Sequence, residues 1–377
     1  MQLYPENTLL LVTRSGILRH TIPVAILKKP ATINQDLKAI MLYTPNLEEY
    51  IYICIKGMES RLILEYTKAG ATVENINFDA FQKILLPIPP ENQIQRIIDA
   101  TNDTDEVIGK LKIDQEDLID IIDKTKSKIL DLAIRGKLVP QNPDDEPASV
   151  LLERIKAEKE ELIKAGKIKR DKKESVIFKG EDNSYYEKIG NTITCIDDEL
   201  PFEIPETWTW SRIEYICNIK SGVTYPADEE QAIGEKMYVK VGDMNLALNE
   251  FEICGSSRYI TRFKSEHLIP QGSIIFPKRG GAIATNKKKL VFKDSILIDL
   301  NTMAITPHGN IDLLYFYYWF QGIDLAQLYN GTSIPQINNR DIAPLLIPIP
   351  PAKEQKRIAN VIQQIYSIIR DIEKSLN

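Results

Sequence analysis

Six cations crowd one short stretch of this chain: Lys278, Arg279, Lys287, Lys288, Lys289 and Lys293, with no acid among them. The glycine pair Gly280-Gly281 sits beside the first two. Such a loop suits contact with phosphate oxygens, because cations neutralise the anion and glycine lets the main chain come close. A solvated lysine loop would have the same composition. Recurrence favours the phosphate reading. Arg14 and Gly16 fall opposite Arg279 and Gly281, 265 residues earlier, and Arg19, His20, Lys28 and Lys29 follow.

The recurrence extends well beyond the loops. Leu85-Leu86-Pro87-Ile88-Pro89-Pro90 returns 261 residues later as Leu346-Ile347-Pro348-Ile349-Pro350-Pro351, and Arg96-Ile97 returns as Arg357-Ile358. Leu3-Tyr4-Pro5 matches Leu268-Ile269-Pro270, Ala39-Ile40 matches Ala304-Ile305, and Gly70-Ala71-Thr72 matches Gly331-Thr332-Ser333. One module used twice, with a spacer between the copies, is the plan this implies. The second copy begins near Leu200-Pro201-Phe202, so the first is expected to lack its front half.

Each copy runs into a helix that must position it. Ile97, Thr101, Thr104, Ile108, Leu111, Gln115, Leu118, Ile122, Thr125, Ile129 and Leu132 alternate by four and three, a seam that requires a partner helix. Ile358, Ile362, Ile365, Ile369 and Ile372 repeat the register, so the two helices are expected to pair antiparallel. The polar positions Thr101, Thr104, Gln115 and Thr125 would then fix that register or mark loosely packed turns. The span 97–132 is about 54 Å long, near 16 base pairs of duplex. A second, charge-rich helix is expected from Pro147 to about Lys173, followed by a polar linker to Leu200.

From Pro201 the pattern changes to short strands at Trp208-Thr209-Trp210, Glu214-Tyr215-Ile216, Met237 to Val241 and Ser273 to Phe276, with a turn at Ser221-Gly222-Val223-Thr224. The aromatic run Leu313 to Phe320 has helical spacing, which favours core packing over base stacking. The fold class is therefore α+β: two mixed modules separated by long antiparallel coiled-coil helices.

Composition excludes several classes. A net charge of −6 speaks against indiscriminate nucleic-acid binding but leaves room for a local basic face. Cys54, Cys195, Cys217 and Cys254 lack paired spacing, which argues against zinc ligation or a disulfide framework and leaves packing as their role. Met1 to Glu6 shows no signal peptide and no apolar run approaches a membrane span, so a cytoplasmic protein with no membrane contact is expected. No GxxxxGK[ST] loop, methyltransferase cofactor loop or Asn-Pro-Pro-Tyr-like motif occurs, and His20, His267 and His308 stand alone. Asp243, Asp294 and Asp299 read as structural or solvated acids rather than nuclease carboxylates. The expectation is a protein with no catalytic residues, no metal and no cofactor.

The tryptophan-bearing strand, the Ser221-to-Thr224 turn, the Gly331-Thr332-Ser333 loop, the LxPxPP corner, and the run Ile129-Leu130-Asp131-Leu132-Ala133-Ile134-Arg135-Gly136-Lys137-Leu138-Val139-Pro140-Gln141 together resemble the specificity subunits of type I restriction-modification enzymes. The resemblance covers nearly all 377 residues. It implies two target recognition domains, each reading half of a split sequence in double-stranded DNA. It also implies conserved helices that set the gap and dock methyltransferase subunits, with a restriction and translocation subunit added for cleavage. On this basis 1–90 is the rear part of a first recognition domain, 91–180 a central helical region and linker, 181–351 a second recognition domain, and 352–377 a C-terminal helix. Lys278, Arg279, Lys287, Lys288, Lys289, Arg14 and Arg19 would hold phosphates, while Lys240, Asn245 and Arg258 would read base edges. The alternative is a remnant that serves only as a helical methyltransferase scaffold or a half-site reader.

Overall fold

The computed structural model describes residues 2–44, 47–68, 73–166, 175–329 and 335–376. The matched turns 70–72 and 331–333 lie outside these residues. Two compact units emerge, Met1–Leu118 and Ile119–Asn377.

In the first unit, β1 (Leu9–Val12) lies between β2 (Val24–Ile26) and β3 (Leu37–Ile40), antiparallel to both. Helices α1 (Glu48–Gly57) and α2 (Glu59–Tyr66) follow, then the strand pair β4 (Thr67–Lys68) and β5 (Asn75–Ile76) and the short α3 (Phe78–Phe81). The alternating Leu9 and Leu11 turn inward and pack with Leu18, Ile22, Tyr50, Ile55 and Leu62. Each such side chain contributes about 1.5–3 kcal/mol by leaving water. Pro89-Pro90 then halts the chain in extended form, and α4 (Glu91–Ile134) starts directly behind it.

The second unit holds the end of α4 and then α5 (Ala148–Lys164). Next comes an antiparallel meander of β6 (Ser175–Lys179), β7 (Tyr185–Ile189) and β8 (Thr192–Cys195). This corrects the expected linker: Ile189-Gly190-Asn191-Thr192 is a two-residue hairpin. Ile177 and Ile196 pack on Trp210, whose strand β9 (Thr209–Arg212) continues into the short helix α6 (Ile213–Ile216) where a strand was expected. Arg212 is buried with Glu187 at 2.8 Å and reaches Glu199 at 2.7 Å, tying meander to strand.

Two further sheets form the body of the second module. The strands β10 (Cys217–Ser221), β13 (Ser273–Pro277), β14 (Lys289–Val291) and β16 (Thr302–Pro307) run in the order β10-β16-β13-β14. Against them lie β11 (Lys236–Val239), β12 (Tyr259–Ile260) and β15 (Leu297–Ile298), with β11 parallel to β15. Val239, Ile275, Val291, Ile298 and Ala304 fill the space between. Helix α7 (Leu313–Gln321) buries all six residues from Tyr315 to Phe320, as core packing requires. After α8 (Asn339–Ile342), β17 (Leu346–Ile349) pairs antiparallel with β9 and leads into α9 (Ala352–Leu376).

The duplication is visible residue by residue. Leu9 faces Ile40 just as Ile274 faces Ile305, and both pairs are related by 265 positions. Tyr50 donates its hydroxyl to the Pro87 carbonyl at 2.6 Å; Tyr315, its counterpart, donates to that of Pro348 at 2.7 Å.

Within the second unit, α9 runs antiparallel to the end of α4. Lys126 meets Glu373 at 2.6 Å and its carbonyl accepts from the Tyr366 hydroxyl, while Gln141 and Asp145, past the end of α4, reach Glu354 and Arg357 at the start of α9. Ile122, Ile129, Ile358, Ile362 and Ile369 are buried; Ile365 is half-buried. The continuous seam does not hold, since Ile97, Ile108, Leu111 and Ile372 are exposed and Leu118 only half-buried. Helix α4 is 44 residues, about 66 Å, and α9 is 25, about 38 Å. Nor do the seam threonines act as register keys: Thr101, Thr104 and Thr125 return their hydroxyls to the carbonyls of Ile97, Ala100 and Ile121.

The run 129–141 resolves into a joint. Gly136, at φ 68, ends α4, and a Cβ there would strike the Pro205 ring. Arg135 stacks on Phe202 with 4.5 Å to the ring centroid.

Candidate nucleic-acid interface

Strand direction gathers the polar residues of the second module at one end. Ser221 ends β10, Lys278 follows β13, and both lie level with the first residues of β16. Lys240 follows β11, whose end Val239 lies beside Ile298 of β15. Two backbone contacts weld the rim: the Lys278 N–H donates to the Asn301 carbonyl at 2.7 Å, and the Asp299 N–H donates to the Val239 carbonyl at 3.1 Å. Gly222 is obligatory here, since a Cβ would overlap the carbonyl oxygens of Ile298 and Asp299.

The cations of this rim sort into two groups. Among the described residues, no carboxylate lies within ion-pair distance of Lys278, Arg279, Lys287 or Lys289, although Glu250 attracts Lys289 from farther away. Lys278 donates to the Ser221 hydroxyl at 2.8 Å, and burial together with neighbouring Arg279 pushes its ammonium below the usual lysine value. Arg279 is exposed on the strand-like bridge to Gln336. Lys287 donates to the side-chain carbonyl of exposed Asn245, and Lys289 to the backbone carbonyl of Glu250. Burial, then Lys287, holds Lys289 low as well. Cations that are partly desolvated and crowd one another are relieved by an anion.

The remaining cations are already engaged. Lys240 and Arg258 share Glu230, at 2.5 and 2.8 Å, which offsets both charges. Lys293 lies 3.6 Å from Glu252. Lys288 corrects the sequence reading outright, being only 3% exposed. Its ammonium donates to the Ile323 carbonyl at 2.6 Å and to Asn286 at 2.9 Å, and lies 5.0 Å from the centroid of the Phe320 ring. It caps the carbonyls beyond α7 rather than meeting an outside ligand. The alternation of three lysines could not reveal which of them points inward.

In the first module, Arg14 is exposed and Arg19 pairs with Glu74, whose carboxyl that bond holds low. The acids considered for nuclease chemistry have local duties. Asp243 collects donors from Lys240, Ser256 and Ser257; Asp299 accepts from Asn301 and Thr302; Asp294 pairs with Lys236. Among the described residues, no group of three or more His, Cys, Asp and Glu is placed to hold a metal, and no helix is long and apolar enough to cross a membrane. Cys195 and Cys254 are exposed, which corrects the packing role expected of them.

A module of one design, used twice and each time continued into a helix, with a cation-edged sheet end in its second copy, defines the class. The model of the type I restriction modification DNA specificity domain matches residues 2–114 and 205–377, and the chain belongs to that family. The EcoAI specificity subunit of a type I restriction enzyme from Escherichia coli is 27% identical over 251 residues, 65% of this chain and 40% of that protein. The EcoEI specificity subunit from the same organism is 43% identical over 110 residues, 29% of this chain and 16% of its own length. The chain thus spans less than half the length of these relatives. A chain from a solved structure on complex assembly and conformational transition of the type I R-M system shares the fold, with a TM-score of 0.62 at 11% identity over 100% of this chain and 78% of that one.

Proposed function

We propose that this chain is a cytoplasmic, non-catalytic DNA-specificity subunit of a type I restriction-modification complex, reading duplex DNA through two modules. The observation that carries the proposal is the group of four cations with no carboxylate at ion-pair distance among the described residues, Lys278, Arg279, Lys287 and Lys289, on the rim that also bears Ser221 and Asn245. The cations bind phosphates and set the register; the Asn245 amide, oriented by Lys287, reads a base edge in the major groove. Lys240 and Arg258 contribute to base reading only through donor hydrogens that Glu230 leaves free. Arg14 supplies a phosphate contact in the first module.

Methyltransferase subunits dock along α4, where Ile97, Val107, Ile108 and Leu111 are exposed, and the restriction and translocation subunit joins through them. Two measurements test the reading. Replacing Arg279 and Lys287 by alanine should weaken binding to every duplex and lower the slope of log affinity against log salt by roughly 0.9 per lost phosphate contact; an unchanged slope rejects the assignment. Methylation of a random sequence pool by the chain with its methyltransferase should specify bases on both sides of a gap. A one-sided motif supports a half-site reader, and no methylation a helical scaffold.

A further inference from the structure

We propose that Gln336 reads an adenine edge in the major groove, its amide held in one orientation by Asn338 and Asp341. This role rests on the duplex contact proposed above for Arg279.

Beyond the end of β13 the chain forms a short ribbon with 335–337. The Gly280 N–H donates to the Pro335 carbonyl at 2.8 Å and the Ile337 N–H to the Lys278 carbonyl at 2.9 Å, so Arg279 and Gln336 stand opposite each other in an antiparallel bridge. Their own backbone groups do not bond across this pair, the arrangement that brings two facing side chains closest. Alternation sets the face. Ile337 is fully buried and Lys278 is half-buried on Ser221, so Arg279 and Gln336 project together from the other side, where Arg279 is exposed. A duplex whose phosphate meets Arg279 therefore passes over Gln336.

A carboxylate decides which way the amide points. Asp341 accepts the Asn338 backbone N–H at 2.7 Å and a side-chain N–H of the same residue at 3.3 Å, so the Asn338 amide oxygen faces away from it. That oxygen accepts from Gln336 Nε2 at 2.9 Å. One Gln336 N–H is thus used. The second N–H and Oε1 have no partner among the described residues. A donor and an acceptor side by side match the N7 acceptor and N6 amino group of adenine, the pairing glutamine makes in the major groove. Guanine presents two acceptors there, cytosine a donor and thymine an acceptor with a methyl group, so none of them satisfies both atoms. Arg279 anchors the phosphate, and Asn338 and Asp341 are positioning residues.

The test is selection of bound duplexes from a random-sequence pool by the full chain, with the salt dependence of affinity for the enriched duplex measured alongside. The parent chain should enrich a motif that specifies adenine at the position Gln336 reads. Gln336→Met keeps the length and loses both polar atoms. It should lower that preference by roughly tenfold or more and leave the slope of log affinity against log salt unchanged, because a neutral side chain displaces no counterion. Gln336→Ala should act alike, and Asn338→Ala should weaken the preference at the same position alone, with circular dichroism checking the fold of each variant. A motif that both Gln336 variants leave unchanged, or an affinity loss shared by all sequences, overturns the assignment while DNA reading by the chain stands. A parent chain that enriches no sequence overturns both.

Discussion

The indole of Trp208 and the carboxylate of Glu354, 146 residues apart, meet at 3.1 Å in a buried joint that Gln141 completes from the other side at 2.6 Å. Burial raises the Glu354 pKa above its ordinary 4.5, only partly offset by these two donors. A carboxyl whose folded value is raised favours the folded state more in its protonated form, so stability should fall as pH rises from the unfolded value through the folded one. Urea unfolding followed by tryptophan fluorescence across that window should show this slope, and Glu354→Gln should flatten it. Glu354→Ala should cost about 1–3 kcal/mol by leaving the buried indole N–H of Trp208 unpaired.

Two isoleucines of the heptad pattern differ in burial, which predicts an asymmetry. Ile362 is fully buried and Ile108 is 44% exposed. Ile362→Ala should cost about 2–5 kcal/mol through the cavity it leaves, whereas Ile108→Ala should fall within about 0.5 kcal/mol of the parent chain. Equal losses in chemical denaturation would mean that the exposed half of the seam is packed as well.

Lys288 separates a structural cation from a binding one. Desolvation lowers its pKa from 10.5 to about 7, against the pull of Asp324. For a base with a depressed folded value, the unfolded chain binds more protons between the two values, so stability should rise with pH from about 7 to about 10.5. Lys288→Met should abolish that rise in unfolding experiments. It should also leave the salt dependence of DNA affinity unchanged, whereas Lys287→Ala lowers the slope by nearly one.

Gly222 sets the position of Ser221, the hydroxyl that receives Lys278. A methyl group at this glycine would overlap two backbone carbonyl oxygens, which cannot yield as a flexible side chain can. Gly222→Ala should therefore destabilise the second unit by about 2–4 kcal/mol and reduce duplex binding along with it. Thermal unfolding and fluorescence anisotropy would check the two effects.

Much of this architecture was legible because it repeats. The LxPxPP corners, the offset of 265 between Arg14 and Arg279, and the heptads at Ile122, Ile358, Ile362 and Ile369 all reflect periodicities that survive in one dimension. Partner choice was not legible. Nothing in Lys-Lys-Lys at 287–289 reveals that its middle ammonium turns onto Phe320, and nothing near Lys240 or Arg258 announces that both share Glu230. The meander at 175–195 was hidden by its polar composition: every residue of β8 is exposed, so its hydrophobic signal is weak, and only the Gly190-Asn191 turn marked it. The seam at 97–111 shows the reverse failure, where regular spacing implied burial and Ile97, Ile108 and Leu111 are exposed.

The two copies differ in one register. β1 and β3 align as their counterparts β13 and β16 do, but Leu9 faces Ile26 while Ile274 faces Leu290, the counterpart of Ala25. With β1 laid on β13, the hairpin partners β2 and β14 sit one residue apart, so side chains matched by position turn to opposite faces: Ala25 is exposed where Leu290 is buried.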